Sequence, residues 1–353
     1  MNTNSLSFRL RIYRIKASNW EYLPMWLVYL PVLVYYCWLA IRAKSFFFFS
    51  ATNPKIPTGG MFFESKWDIF KSIPTQYYPN TILIDENTAQ NVIHEKMATA
   101  QIVYPCIAKP DRGERGWEVC IVRTDAELLA YHTQINNAYL LQSLVEYPLE
   151  YSVFYCRYPL EKKGKVTGLT RKALLAVMGD GVSSILQLIM QHDRAFLQLK
   201  TLLQNTEIPL EKILQKDEKY TLVPFGNHVR GAMFIDDSAA INDELSDTFD
   251  RISQQIDGFY FGRYDVKCTS EADLIAGKNI MIVELNGAGA EPSHIYDPNF
   301  PFLRAQKVLF QHYKMMYVVA QQNHQKGVAY MSLKAVRETL NAEKMYKAKA
   351  KNS

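Results

Sequence analysis

The hydrophobic pattern of this chain changes character three times. Residues 23–41 carry no charge and are rich in Leu, Val, Tyr and Trp; the apolar run resumes at 46–49 after Arg42 and Lys44. Such a run approaches the roughly 20 residues needed to span a bilayer. A turn-rich stretch, 53–60, then closes this arm. Beyond it, apolar spacing at Phe62, Trp67, Ile69, Phe70 and Ile73 predicts a short helix over 61–73, and Pro74 and Pro79 lead into a strand over 81–84. Further strands are predicted at 102–109, 117–123, 139–145, 150–157, 165–168, 172–177, 230–235, 259–266 and 280–286. Helices are predicted at 86–99, 125–136, 182–204, 240–256 and 301–322. This irregular interleaving with hairpin-like runs predicts α+β lobes rather than one doubly wound sheet. From Ser332 the tail reads as a basic helix ending in Lys347, Lys349 and Lys351, either a solvated end or a further membrane contact.

The last predicted strand, 280–286, ends in Glu284-Leu285-Asn286. Side chains alternate along a strand, so Glu284 and Asn286 share a face while Val283 and Leu285 point into the packing. A carboxylate beside such an apolar run needs a cation, a hydrogen-bond network or a metal, because an unpaired buried charge costs several kcal/mol. Upstream, Arg263 and Asp265 share one face of the strand at 259–266. An acid on one strand and Glu-x-Asn on the next form an all-oxygen donor set of the kind Mg²⁺ takes together with phosphate oxygens. Ala108-Lys109-Pro110 ends another strand and enters a loop, 111–116, containing Gly113, Arg115 and Gly116. Two glycines let a backbone approach phosphates, and a strand-end lysine can reach the same oxygens. A surface hairpin with exposed charges would have the same composition.

At 353 residues the chain can hold several lobes. Its net charge of +5 is modest, and basic-aromatic interleaving and finger spacings are lacking, so nucleic acid is not expected as a partner. Five scattered cysteines without a C-x-x-C pair indicate neither a zinc site nor a disulfide framework, which suits a reducing compartment. The arm is a poor signal peptide, since its apolar run starts late and no small-residue cleavage site follows. Arg9, Arg11, Arg14 and Lys16 precede the run, and Pro24 and Pro31 would break or kink a helix. These features predict a helix-Pro-helix element lying on the cytosolic face of the membrane, with Trp20, Trp26 and Trp38 at headgroup depth. A hydrophobic helix pair packed against the rest of the protein, or against the second copy of a homodimer, fits equally well.

The order of these pieces resembles the ATP-grasp superfamily of carboxylate-amine ligases, especially D-alanine:D-alanine ligase and the cyanophycin-synthetase type. The resemblance runs from about Gly60 to Pro298. Glu64-Ser65-Lys66 looks like the segment with the first phosphate-binding lysine, Ala108-Lys109-Pro110 like the second, and 111–116 like the glycine loop, with Gly113, Arg115 and Gly116. Residues 139–145 look like the strand and hinge that hold adenine, through Gln142, Leu144 and Val145, although Gln142 stands where the family commonly has an acid. Glu150 matches the acid that binds ribose. Arg171-Lys172 followed by Gly179-Asp180-Gly181 resembles the cyanophycin-synthetase branch, as does the loop with Arg230.

Arg263-Tyr264-Asp265 and Glu284-Leu285-Asn286-Gly287 match the family's metal motifs. The resemblance therefore implies two α+β lobes sandwiching ATP, with Asp265, Glu284 and Asn286 as Mg²⁺ ligands. It implies Arg263, Arg171 and Arg230 as catalytic cations, and His294 could line the acceptor pocket. It also implies an enzyme that joins a carboxylate to an amine through an acylphosphate. Its substrates would be small molecules or lipid-linked, given the arm. A phosphotransferase or a non-catalytic nucleotide-binding scaffold on the same fold are the competing expectations. The family usually has a substantial domain ahead of the first lysine, whereas here only the arm precedes Lys66, so the substrate pocket does not carry over. The expected organisation is an arm (1–52), a short region with the first lysine (53–100), a small lobe (101–147), a large lobe with the metal site (148–325) and a basic tail (326–353).

Overall fold

The computed structural model describes residues 6–113 and 117–351. Every strand pairing within it is antiparallel, and the strands form two larger sheets and one small ribbon. The four-stranded sheet contains β1 (Thr81–Ile84), β2 (Cys106–Pro110), β3 (Cys120–Val122) and β4 (Tyr139–Ser143), in the order β1-β4-β2-β3. Helices α4 (Gln90–Thr99) and α5 (Asp125–Gln134) cover it, burying Ile93, Met97 and Leu128 against Cys106, Tyr139 and Leu141.

The five-stranded sheet runs β11-β10-β5-β6-β9, with β5 (Leu149–Cys156), β6 (Lys165–Ala173), β9 (Met233–Asp236), β10 (Phe261–Cys268) and β11 (Ile280–Asn286). Helices α9 (Asp243–Ser253) and α10 (Glu271–Ala276) pack on one face of it. There Leu245, Phe249 and Ile252 meet Tyr151, Val153, Val266 and Ile282 in an apolar core. Asn242 starts α9 by accepting the amide of Leu245 at 2.8 Å, which satisfies a donor that the first turn leaves open.

Between β6 and β9 the chain builds a separate cluster from β7 (Ala176–Met178), β8 (Lys219–Thr221), α6 (Ile185–Gln191), α7 (Asp193–Leu197) and α8 (Leu199–Gln204). The single helix predicted over 182–204 is thus three short ones, because His192 and Gln198 leave helical geometry; the His192 ring accepts the amide of Ala195 and caps α7. Likewise, the strands predicted at 165–168 and 172–177 are resolved differently, as one continuous β6 followed by β7.

The arm consists of α1 (Leu6–Ser18) and α2 (Met25–Ala43). Phe8 and Ile15 of α1 enter the cluster around Leu175, Ile185 and Phe196. Pro24 precedes α2, whereas Pro31 lies within it, so the predicted break falls at the first proline alone. By length and composition α2 is apolar enough to cross a membrane. One side of it is buried against α11 (Phe302–Gln325), and α3 (Lys66–Ser72) follows the turn-rich stretch. That stretch is not a loose linker: buried Asn53 donates to the carbonyls of Gly59 (2.9 Å) and Phe261 (2.8 Å) and accepts the amides of Tyr260 and Phe261. Gly60, at φ +76°, lies so close to Gly287 that a Cβ there would sit 2.7 Å from its Cα. The exit of β11 is therefore pinned to the end of the arm. Finally, α12 (Leu333–Lys351) is helical as expected but is not a free end, since Asn136 and Asn137, in the turn between α5 and β4, donate to its Lys349 and Tyr346 carbonyls.

Candidate active site

Strand β10 sits between β11 and β5, and its register decides which side chains meet. Asp265 lies opposite Glu284 on β11 and Ser152 on β5, while Arg263 lies opposite Asn286. Directly opposed residues of an antiparallel pair share a face, so Arg263, Asp265, Glu284 and Asn286 stand together on the face away from α9. The expected inward pointing of Val283 does not hold. The register shifts by one residue there, Val266 pairs with Ile282, and Ile282 and Leu285 are the core residues. A bulge of this kind re-aims the side chains that follow it. Here it keeps Leu285 in the core and places Glu284 against Asp265.

Asp265 is almost fully enclosed. Oδ1 accepts from Ser152 Oγ at 2.6 Å and from Arg263 Nε at 3.1 Å; Oδ2 accepts from Arg263 at 3.3 Å and faces Lys172 Nζ at 3.2 Å. Burial alone would raise its pKa, but Arg263 and Lys172 outweigh it and hold the carboxyl down to about 2. Lys172 also reaches Glu150 Oε1 at 2.9 Å, and its own pKa is raised despite burial, by Asp265 and Glu150. Arg263 is kept charged by Asp265 against the same burial cost and donates to the carbonyl of Glu291 at 3.2 Å.

Lys109 belongs to the four-stranded sheet, at the end of β2, yet its ammonium touches the other sheet. It donates to Gln142 Oε1 at 2.8 Å and to the carbonyl of the bulged Val283 at 3.1 Å. Burial pulls its pKa down to about 7, with nearby Glu284 opposing that shift and Lys66 adding to it. Gln142 passes the contact on to Thr81 Oγ1 at 2.8 Å, so its side chain is committed inside the lobe.

Lys66 opens α3. Ser65 caps that helix and donates to Asp111 Oδ1 at 2.9 Å; the same oxygen accepts the amide of Trp67. The start of α3 is thereby stitched to the loop after β2, where Lys66 Nζ donates to the carbonyl of Gly113 at 2.6 Å. Arg115 and Gly116, expected in this loop, lie outside the described residues. At the hinge, Leu144 is half-buried and the carbonyl of Val145 accepts from Lys267 at 2.9 Å.

The structure thus brings Lys66, Lys109, Arg263, Asp265, Glu284 and Asn286 to the junction of the two sheets, with Glu150 linked through Lys172. It does not bring Arg171 there. That residue points to the other face of β6, exposed, with Asp237 at 3.7 Å. Arg230 lies over the Phe225 ring at 5.3 Å and acts on the thiol of Cys120 on β3. It borders a cleft of about 980 Å³ lined in part by Cys120, Tyr131, Glu207 and Phe225. His294 is buried beside Phe300, its Nδ1 has no hydrogen-bond partner among the described residues, and burial lowers its pKa. Neighbouring Ser293 bonds Thr170 on β6 at 2.8 Å. Sequence reasoning did not select Lys172; the register that sets it, rather than Arg171, opposite Glu150 comes from the pairing of β5 with β6 in the folded sheet.

Among the described residues, no three His, Cys, Asp or Glu side chains are grouped to hold a metal ion. The hard oxygens of Glu284 and Asn286, two residues apart on one face, do fit a Mg²⁺ that draws its other ligands from phosphate. The four acceptor positions of Asp265 are filled by Ser152, Arg263 and Lys172. It could join that set only by releasing one of its cations.

The sequence matches no family model and no curated protein. Among solved structures, the chain is similar to a bifunctional glutathione synthetase from Pasteurella multocida (15% identity, 70% of this chain, 36% of that one, TM-score 0.37). It is also similar to D-alanine–D-alanine ligase from Bacillus anthracis (12% identity, 74% and 67%, TM-score 0.40). A third similar structure is the ATP-grasp ligase PsnB with a minimal precursor (12% identity, 70% and 59%, TM-score 0.36). The chain spans from about a third to two thirds of the length of these structures.

Proposed function

We propose that this protein is an ATP- and Mg²⁺-dependent ligase of the ATP-grasp type, joining a carboxylate to an amine through an acylphosphate. The observation that carries this reading is the meeting of Lys109, from one sheet, with the bulge at Val283 and the carboxylate of Glu284, from the other. A cation and a hard-oxygen donor facing each other across two lobes is what a triphosphate with its metal requires. Lys66 and Lys109 would hold phosphate oxygens. Glu284 and Asn286 would hold Mg²⁺, which supplies charge neutralisation on the transferred phosphoryl group. Arg263, kept rigid by Asp265 and the Glu291 carbonyl, would stabilise the oxyanion that forms when the amine attacks.

The uncharged apolar run of the arm favours a lipid-linked or amphiphilic substrate, and a site of action on the cytosolic membrane surface. The test is ADP release by detergent-solubilised protein given ATP, Mg²⁺, membrane lipid extract and pooled amino acids, beside a Glu284→Gln control. Stimulation that requires both additions and is lost in the control supports the ligase, with an amide product distinguishing it from a phosphotransferase. No nucleotide binding by the folded protein would overturn the reading.

A further inference from the structure

One side of α2 is packed and the other is bare. Val28, Val32, Tyr36 and Leu39 are buried, whereas Trp26, Leu30, Leu33, Val34, Trp38 and Ile41 are 48–76% exposed. The bare residues recur every three or four positions and so form one stripe along the helix. Exposed apolar side chains are ordinary singly, but a contiguous stripe of this size marks an interaction surface.

Charge identifies what covers it. Residues 1–63 contain seven Lys or Arg and one acid, Glu21. The carboxylate of Glu21 is enclosed by Arg194 at 2.6 Å and His228 at 2.8 Å. Arg42 lies over the exposed indole of Trp38 at 4.9 Å, so a cation and an amphipathic ring share the bare side. Arg11 and Lys55 pair with Asp193 and Asp257, but indoles, aliphatic side chains and the remaining excess of cations together suit the headgroup region of an anionic bilayer.

The packed side fixes the geometry. Gln306 on α11 donates to the carbonyl of Val28 at 2.9 Å, and Tyr35 packs on Phe310 at 5.1 Å. A helix held along its length in this way cannot be surrounded by lipid. We infer that α2 lies in the plane of an anionic bilayer, immersed on its Trp26 to Ile41 side only. Its inner side leads to the candidate active site: Tyr29 reaches Tyr296 at 3.5 Å, Tyr296 donates to Glu291 at 2.9 Å, and the Glu291 carbonyl accepts from Arg263. The width of α2, ~10 Å, and the Tyr296 and Glu291 side chains beyond it therefore separate the bilayer from Arg263. The delivery of a lipid-tailed substrate to Arg263 rests on the ligase reading; the docking itself does not.

The experiment is flotation of the full chain with vesicles of phosphatidylcholine, alone and mixed with phosphatidylglycerol. The mixed vesicles should carry the protein, and the double variant Leu30→Glu/Val34→Glu should lose binding by about tenfold or more while keeping its circular dichroism and melting temperature. A polarity-sensitive dye on Cys37, which lies on the same stripe and is exposed, should brighten on binding in a Cys120→Ser background. Absence of flotation, or equal flotation of the double variant, overturns the inference. So does a stable dimer in light scattering that the double variant separates, because the stripe would then be covered by a second copy. Nucleotide is absent throughout, so failure here leaves the ligase reading untouched, and failure of ADP release leaves the docking untouched.

Discussion

Lys172 Nζ stands 3.2 Å from Asp265 Oδ2 and 2.9 Å from Glu150 Oε1, with the lysine and aspartate side chains only 5% and 6% exposed. Three strands therefore meet at one ammonium: β10 through Asp265, β5 through Glu150 and β6 through the lysine itself. Removing one partner of such a buried group leaves an uncompensated charge. Asp265→Asn should cost about 3–5 kcal/mol in urea unfolding. The double variant Lys172→Met/Asp265→Asn should cost less than the sum of the single changes, by roughly 0.5–3 kcal/mol. Additive losses would mean that the two groups do not act as a unit.

Position on the strand, rather than charge, should decide which cation of the Arg171-Lys172 pair matters. Arg171 faces Asp237 at the surface, so Arg171→Ala should leave ADP release within about twofold. Lys172→Ala should lower it by about a hundredfold, the scale of losing one preorganised electrostatic contact. Steady-state rates of the two variants, with folding checked by circular dichroism, test this. The reverse order would show that the exposed face of β6 carries the chemistry.

Lys109 makes nucleotide binding depend on pH. Burial lowers its pKa to about 7, so near neutral pH much of it is neutral in the free protein, and a phosphate partner would restore the proton. Binding of an ATP analogue should take up protons above pH 7 and weaken as pH rises. Calorimetry in buffers of different ionisation enthalpy measures this uptake, and Lys109→Met should abolish it. The sign for stability is opposite. The unfolded lysine titrates near 10.4, so between about 7 and that value the unfolded chain binds more protons. This group's contribution to stability therefore rises with pH across that window.

Tyr346 ties the C-terminal helix to the candidate phosphate loop. Its hydroxyl accepts the amide of Arg112 at 3.4 Å and reaches the Ala138 carbonyl at 3.5 Å, and its ring meets Phe63 at 5.7 Å. Arg112 in turn lies over Phe63 at 4.7 Å. Deleting 333–353 should speed amide hydrogen exchange at 111–113 and weaken nucleotide binding several-fold, with Tyr346→Ala giving part of both effects. Unchanged exchange would reduce α12 to a passive cover.

Much of this arrangement is legible along the chain. Period-two alternation placed Arg263 with Asp265 and Glu284 with Asn286, and apolar spacing located α2, α9 and α11 to within a few residues. These features depend on neighbours in sequence, so the chain determines them locally. Register, bulges and packing do not. Alternation could not choose between Arg171 and Lys172 without knowing which face of β6 meets β5, and it misplaced Val283 because one extra residue in β11 arises only from pairing with β10. The amphipathic character of the arm was hidden by a helix apolar on nearly every side. Only the packing of α11 decided which half of it is bare. The basic tail looked solvated because its contacts, Asn136, Asn137 and Glu86, lie more than two hundred residues away. The sequence by itself determined the elements and the chemistry they could offer. The tertiary structure decided which charges meet, because burial and ion pairing depend on distance in space.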